Sequence, residues 1–192
     1  MSATHASESN VTPPASCWRL WVDGCGGFLL LSGDRWSVGG LSQGPRADVC
    51  VRADWPRMAG MIERTGEDYF WKDEKKPSRR ELIQSGQVLP VDGSAEMTLQ
   101  NPSPLSNSAV LRLRAPHRFV DHIDAVVLTG DTVLIGPGAD CHIQHRACTE
   151  RAIITRRDDR WLAKVGLSGD FQSLEPCERM MLGNLAITLE KA

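Results

Sequence analysis

The chain repeats itself. Residues Phe28–Asp34 match Ala125–Asp131 at an offset of 97, and Trp36–Gly40 matches Val133–Pro137 at the same offset. Ala47-Asp48 then meets Ala139-Asp140 at an offset of 92, so the first copy carries five extra residues near Leu41–Arg46. The shorter offset also joins Gly60–Ile62 to Ala152–Ile154 and Tyr69 to Trp161, and near the ends Met97–Leu99 meets Ile187–Leu189. Insertions fall between apolar segments, as expected of a duplicated domain whose loops vary more than its strands. The expected organisation is a disordered tail over 1–16, a domain over 17–101, a linker over 102–107 and a second domain over 108–192. Ser, Thr, Pro and Ala enrich the tail, and prolines stiffen the linker enough to favour a fixed arrangement of the domains.

The apolar segments of each copy are short and bounded by Gly, Asp, Asn or Pro. That spacing predicts an all-β fold of two tandem β-sandwiches. In the first copy strands are expected at Leu20–Val22, Phe28–Leu31, Trp36–Val38, Val49–Val51, Met61–Ile62, Tyr69–Trp71, Val88–Val91 and Met97–Leu99. In the second they fall at Val110–Leu113, Ala125–Leu128, Val133–Ile135, His142–Gln144, Ile153–Ile154, Trp161–Ala163 and Leu185–Leu189. Arg79–Gln84 and Met180–Leu182 have the spacing of a helical turn, and neither is assigned one.

Lys plus Arg total 22 against 24 Asp plus Glu, a net charge of −2, which argues against a general nucleic-acid binder. No apolar run approaches the roughly 18 residues of a membrane span, and Met1–Asn10 lacks the apolar stretch of a signal peptide. The expectation is a cytoplasmic protein without disulfides. Its sharpest local cluster, Cys141-His142-x-x-His145-x-x-Cys148, holds four residues of zinc-ligand type. On a short strand, however, Cys141 and His142 point to opposite faces and cannot both turn toward one ion. No cofactor is implied. A metal-binding sensor or enzyme using Cys141, His142, His145 and Cys148 is kept only as an alternative.

The repeated pattern resembles forkhead-associated (FHA) domains. The first copy offers Val38-Gly39-Gly40, Ala47-Asp48-Val49, the stretch Pro56–Ile62, and Tyr69-Phe70-Trp71. The second offers Ile135-Gly136-Pro137, Ala139-Asp140-Cys141, Cys148–Ile154, Trp161, Ser168-Gly169 and Leu182-Gly183-Asn184-Leu185. The resemblance covers residues 17–192. It implies β-sandwiches whose loops at one end bind phosphothreonine peptides. At the positions where the family contacts phosphate, this chain departs from it. Gly40 and Pro137 stand where the resemblance implies an arginine, and Pro56 and Cys148 where it implies a serine; the structural histidine is replaced by Ala59 and Arg151. Only Arg57 keeps the family's residue type. Each charge-assisted hydrogen bond to a phosphate contributes roughly 1.5–3 kcal/mol, so losing several weakens binding by orders of magnitude.

The expected function is therefore a non-enzymatic adaptor or scaffold with phosphothreonine recognition lost or altered, whose partner is a protein or a phosphopeptide. No nucleic acid or membrane is expected as a partner, and the oligomeric state is open. Arg146, Thr149 and Arg151 with Ser168 form a candidate rebuilt anion site in the second copy; functional phosphothreonine binding there is the alternative. In the first copy the candidates are Arg57 and Trp55, the latter either an exposed ring for a partner or packing beneath its loop.

Overall fold

The computed structural model describes residues 17–192; the tail expected over 1–16 lies outside the described residues. The fold is all-β, in three sheets. A seven-stranded sheet runs in the order β17 (Arg179–Leu182), β18 (Leu185–Lys191), β1 (Cys17–Val22), β2 (Gly26–Leu31), β11 (Ala125–Leu128), β9 (Ala109–Leu113), β8 (Met97–Gln100). A six-stranded sheet follows the order β10 (Arg118–Phe119), β4 (Val49–Arg52), β3 (Arg35–Gly40), β5 (Gly60–Thr65), β6 (Asp68–Asp73), β7 (Arg80–Ile83). A five-stranded sheet is ordered β13 (Ile143–Gln144), β12 (Val133–Gly136), β14 (Ala152–Arg157), β15 (Arg160–Val165), β16 (Gln172–Ser173).

The seven-stranded sheet is shared. In β2, Phe28 and Leu30 enter one core while Leu31 enters the other; in β11, Ala125 and Val127 divide from Val126 and Leu128 in the same way. Successive side chains of a strand alternate faces, so a run of apolar residues on consecutive positions fits a strand buried on both sides. The six-stranded sheet closes the first core with Trp36, Val38, Val49, Ile62 and Trp71. The five-stranded sheet closes the second with Val133, Ile135, Ile143, Ile154 and Trp161.

The two halves meet where β2 and β11 pair in parallel, Phe28 beside Ala125 and Leu31 beside Leu128. Each half also lends its first strand to the other. β1 pairs with β18, the last strand of the chain, and puts Leu20 and Val22 into the second core. β9 pairs with β8, the last strand of the first half, and puts Ala109 and Leu111 into the first core. The expected cut between 101 and 108 thus falls between two strands that are hydrogen-bonded to each other.

Two arginines at equivalent positions, 92 residues apart, reach across this seam. Arg64 on β5, with its side chain only 15% exposed, bonds Asp34 Oδ1 at 2.8 Å and donates to the carbonyl of Asn107 at 2.7 Å and to that of Thr129 at 3.3 Å. Arg156 on β14 donates to Ser32 Oγ at 3.3 Å and to Asp159 at 2.7 Å.

Two local expectations change, and the two segments left without an assignment form strands. Val88–Val91 makes a single bridge, Val88 to Thr98, because Pro90 has no N–H to give a ladder. Arg80–Ile83 and Arg179–Leu182 are strands, paired to β6 and β18. Of His142–Gln144 only the last two residues form β13.

Candidate functional site

The loop ends after β3 and β12 are where the repeat carries its family resemblance, and they are built differently. In the first half, β3 ends on two glycines pressed against the backbone of 55–57. A Cβ on Gly39 would lie 1.9 Å from the Arg57 carbonyl oxygen, and one on Gly40 would lie 2.3 Å from that of Trp55. Gly40 N–H donates to the Pro56 carbonyl at 2.7 Å, fixing this approach. A side chain at Gly40 has no room, so a phosphate-binding cation there would require moving the 55–57 loop.

Trp55 is 6% exposed and packs in the first core. The reading of it as an exposed partner contact is corrected to packing beneath its loop: Gly93, whose Cβ would lie 2.6 Å from the indole, lets the chain close over the ring. Arg57 is exposed. Its guanidinium reaches the five-residue insertion, 3.4 Å from where a Cβ on Gly44 would sit. Asp48 is used internally: its carboxylate accepts from Ser37 N–H at 2.8 Å and Ser37 Oγ at 2.6 Å.

In the second half the equivalent aspartate takes a different partner. Asp140 accepts from Arg151 Nη2 at 2.5 Å, so one of the two arginines of the expected anion site is already neutralised. Thr149 is exposed, and its backbone N–H lies 3.5 Å from Asn184 Oδ1. Asn184 Nδ2 donates to the Ala147 carbonyl at 2.6 Å. Asn184, in the turn between β17 and β18, thus ties down the 147–149 loop; the sequence marked it only as part of a Gly-Asn turn. Cys148 is buried in the second core. Ser168 is exposed on the turn after β15. Arg146 is exposed too, and opens into a groove with Arg112, Cys25 and Gln144. No hydrogen bond joins any two of Arg146, Thr149, Arg151 and Ser168, and only the first lines that groove.

The cysteine–histidine cluster does not converge. His142 is fully buried, its Nδ1 accepting from Leu134 N–H at 2.9 Å. Nε2 therefore carries the proton and faces Ser106 Oγ at 2.9 Å. Burial pushes its pKa down to about 4, so the ring is neutral at pH 7. With both nitrogens engaged it has no lone pair for a metal. His145 Nε2 turns instead to the Asp23 carbonyl at 2.9 Å. Burial raises the thiols of Cys141 and Cys148. The alternative of a metal centre on these four residues is corrected accordingly, and among the described residues no group of three potential ligands is placed to hold an ion.

A serine, a histidine and an aspartate also meet at Asp54, Ser94 and His117. Ser94 Oγ donates to Asp54 Oδ1 at 2.5 Å and lies 3.0 Å from His117 Nε2. The order differs from that of a nucleophilic triad, in which the carboxylate orients the histidine and the histidine deprotonates the serine. Here the carboxylate holds the serine directly, and hydrogen bonds from Ser94 keep the Asp54 carboxyl below its usual range. The arrangement ties together the three separate loops that carry Asp54, Ser94 and His117.

All six cysteines are free, and among the described residues no helix is long and apolar enough to cross a membrane. No protein-family model matches the chain, and no curated protein and no solved structure is significantly similar to it.

Proposed function

We propose that this chain is a non-enzymatic protein-interaction module, an adaptor or scaffold built from two FHA-like copies in which ordinary phosphothreonine recognition has been lost. The observation that carries this reading is the pair of loop ends. In one, Gly40 is pressed against the Trp55 backbone; in the other, Arg151 is held by Asp140. A dianionic phosphate needs several converging donors, commonly arginine forks. Here Arg57 stands apart by the insertion, and Arg146 lines a groove to which Arg151 does not contribute. The shared sheet supports a scaffold role, because the halves hold each other's first strands and present their surfaces in a fixed relation. The six free thiols agree with a reducing, cytoplasmic setting.

The test is binding to a degenerate phosphothreonine peptide library, run beside the same library after phosphatase treatment. The expected result is no phosphate-dependent enrichment. Enrichment that disappears on dephosphorylation would overturn the loss of recognition, and single alanine substitutions at Arg57, Arg146, Thr149, Arg151 and Ser168 would then locate the site.

A further inference from the structure

Arg52 on β4 lies directly opposite Arg118 on β10 in an antiparallel pair. Like charges facing each other across a ladder repel. Both residues are exposed, and neither forms an ion pair or a hydrogen bond with any described side chain. They line a groove of about 930 Å³ whose apolar walls include Leu113, Pro116, Phe119 and Ile123.

Asp124 forms a wall of this groove and also of the groove of about 590 Å³ that holds Arg112 and Arg146. Its carboxylate is already engaged by Gly27 N–H at 2.9 Å. Arg112 is half-buried with no carboxylate beside it among the described residues; its guanidinium donates to the His142 carbonyl at 3.1 Å. A cation removed from water without an anion is costly. Four arginines therefore line two grooves that share the Asp124 wall and open on opposite faces of the shared sheet, as the consecutive β9 residues Arg112 and Leu113 do, without a matching set of carboxylates.

We propose that the adjoining grooves bind an extended acidic segment of a partner protein, its carboxylates meeting Arg52 and Arg118 at one end and Arg112 and Arg146 at the other. The walls between suit apolar side chains more than a sugar–phosphate backbone. β10 is an edge strand of two residues, which leaves its outer side open to an extended chain. None of these positions except Arg146 belongs to the loop ends discussed above, so the proposal stands or falls apart from the loss of phosphothreonine recognition.

The experiment is fluorescence anisotropy of the full chain with a labelled peptide of alternating Glu and Leu, about 12 residues and roughly 40 Å long when extended. Saturable binding that weakens with added salt is expected. Arg52→Glu/Arg118→Glu and, separately, Arg146→Glu should each weaken it by about tenfold or more, while Arg57→Glu leaves it unchanged. These side chains are exposed, and unchanged thermal unfolding confirms that the variants fold. Absence of binding overturns the proposal, as does a reversal at Arg52 and Arg118 without effect. Equal loss from Arg57→Glu would mean non-specific charge attraction, and tighter binding of single-stranded RNA of matched charge would make the surface a nucleic-acid site; both also overturn it.

Discussion

Set side by side, the β5–β6 hairpin of the first half and the β14–β15 hairpin of the second follow one burial alternation, residue for residue. Their fillings differ. Trp71 in the first corresponds to Ala163 in the second, and Tyr69 to Trp161, which meets Trp18 edge-on at 6.5 Å. In the first half Tyr69 stacks on Trp36 at 6.3 Å instead. The loops after β3 and β12 share neither pattern nor filling: one is closed by glycines against backbone, the other by an Arg–Asp pair. Alternation survives because any side chain of roughly fitting volume keeps a strand's face buried, whereas a loop has no such constraint and drifts to whatever contacts close it.

The seam offers the strongest way to break this comparison. Arg64→Ala removes charge-assisted bonds to the Asn107 carbonyl of the linker and the Thr129 carbonyl of the other half and is expected to cost about 2–4 kcal/mol in urea unfolding. Arg156→Ala, which gives up a bond to Ser32 Oγ and a pair with an Asp159 that is 93% exposed, should cost about 1–2 kcal/mol. Equal costs would show that the two clamps are equivalent after all.

His142 sharpens the contrast next, since Cys50 occupies the equivalent place in the first half. Its folded-state pKa of about 4 lies below the ordinary 6.5. The neutral ring's contribution is therefore complete above pH 6.5 and is lost as the pH falls through 4, by roughly 3 kcal/mol in all. Stability measured across that range should drop in the wild type and flatten in His142→Gln. An unchanged acid slope in the variant would assign the drop to other groups.

Smaller effects follow at the loops. Gly40→Ala forces a methyl against the Trp55 carbonyl and should cost about 1–3 kcal/mol. Pro137→Ala at the equivalent exposed site should stay within about 0.5 kcal/mol. The hairpin turns give the smallest pair. Gly66 has φ +62° and Asp158, its counterpart, φ +48°. Gly66→Ala should cost about 1 kcal/mol and Asp158→Gly should gain about 0.5 kcal/mol in melting experiments, since only glycine adopts this region without strain.

Much of the fold was legible because burial imposes a period on the chain. The offsets of 97 and 92 located β2, β3, β5 and β6 and their counterparts from apolar spacing alone. β7, β10, β16 and β17 were not legible: Arg80-Glu-Leu-Ile83 buries only Ile83 and carries no alternation that names a strand. Such edge strands exist because a neighbour offers backbone partners, and that information lies in β6 and β18 rather than in the segments themselves. At the candidate site, the absence of a cation at positions 40 and 137 could be read from residue identity, since Gly40 and Pro137 carry none in any fold. That Arg151 is tied to Asp140, that Trp55 is buried and that Asn184 pins the 147–149 loop required distances.

The sequence by itself determined that the chain is all-β and doubled, because alternation and turn residues are local properties that each segment carries alone. Only the tertiary structure decided that β2 and β11 are buried on both faces, that the halves exchange first strands, and that Arg52 comes to face Arg118. Backbone hydrogen bonds look alike whichever strand supplies them, so no strand's own residues specify its neighbour. Partners are chosen by how all the faces bury together.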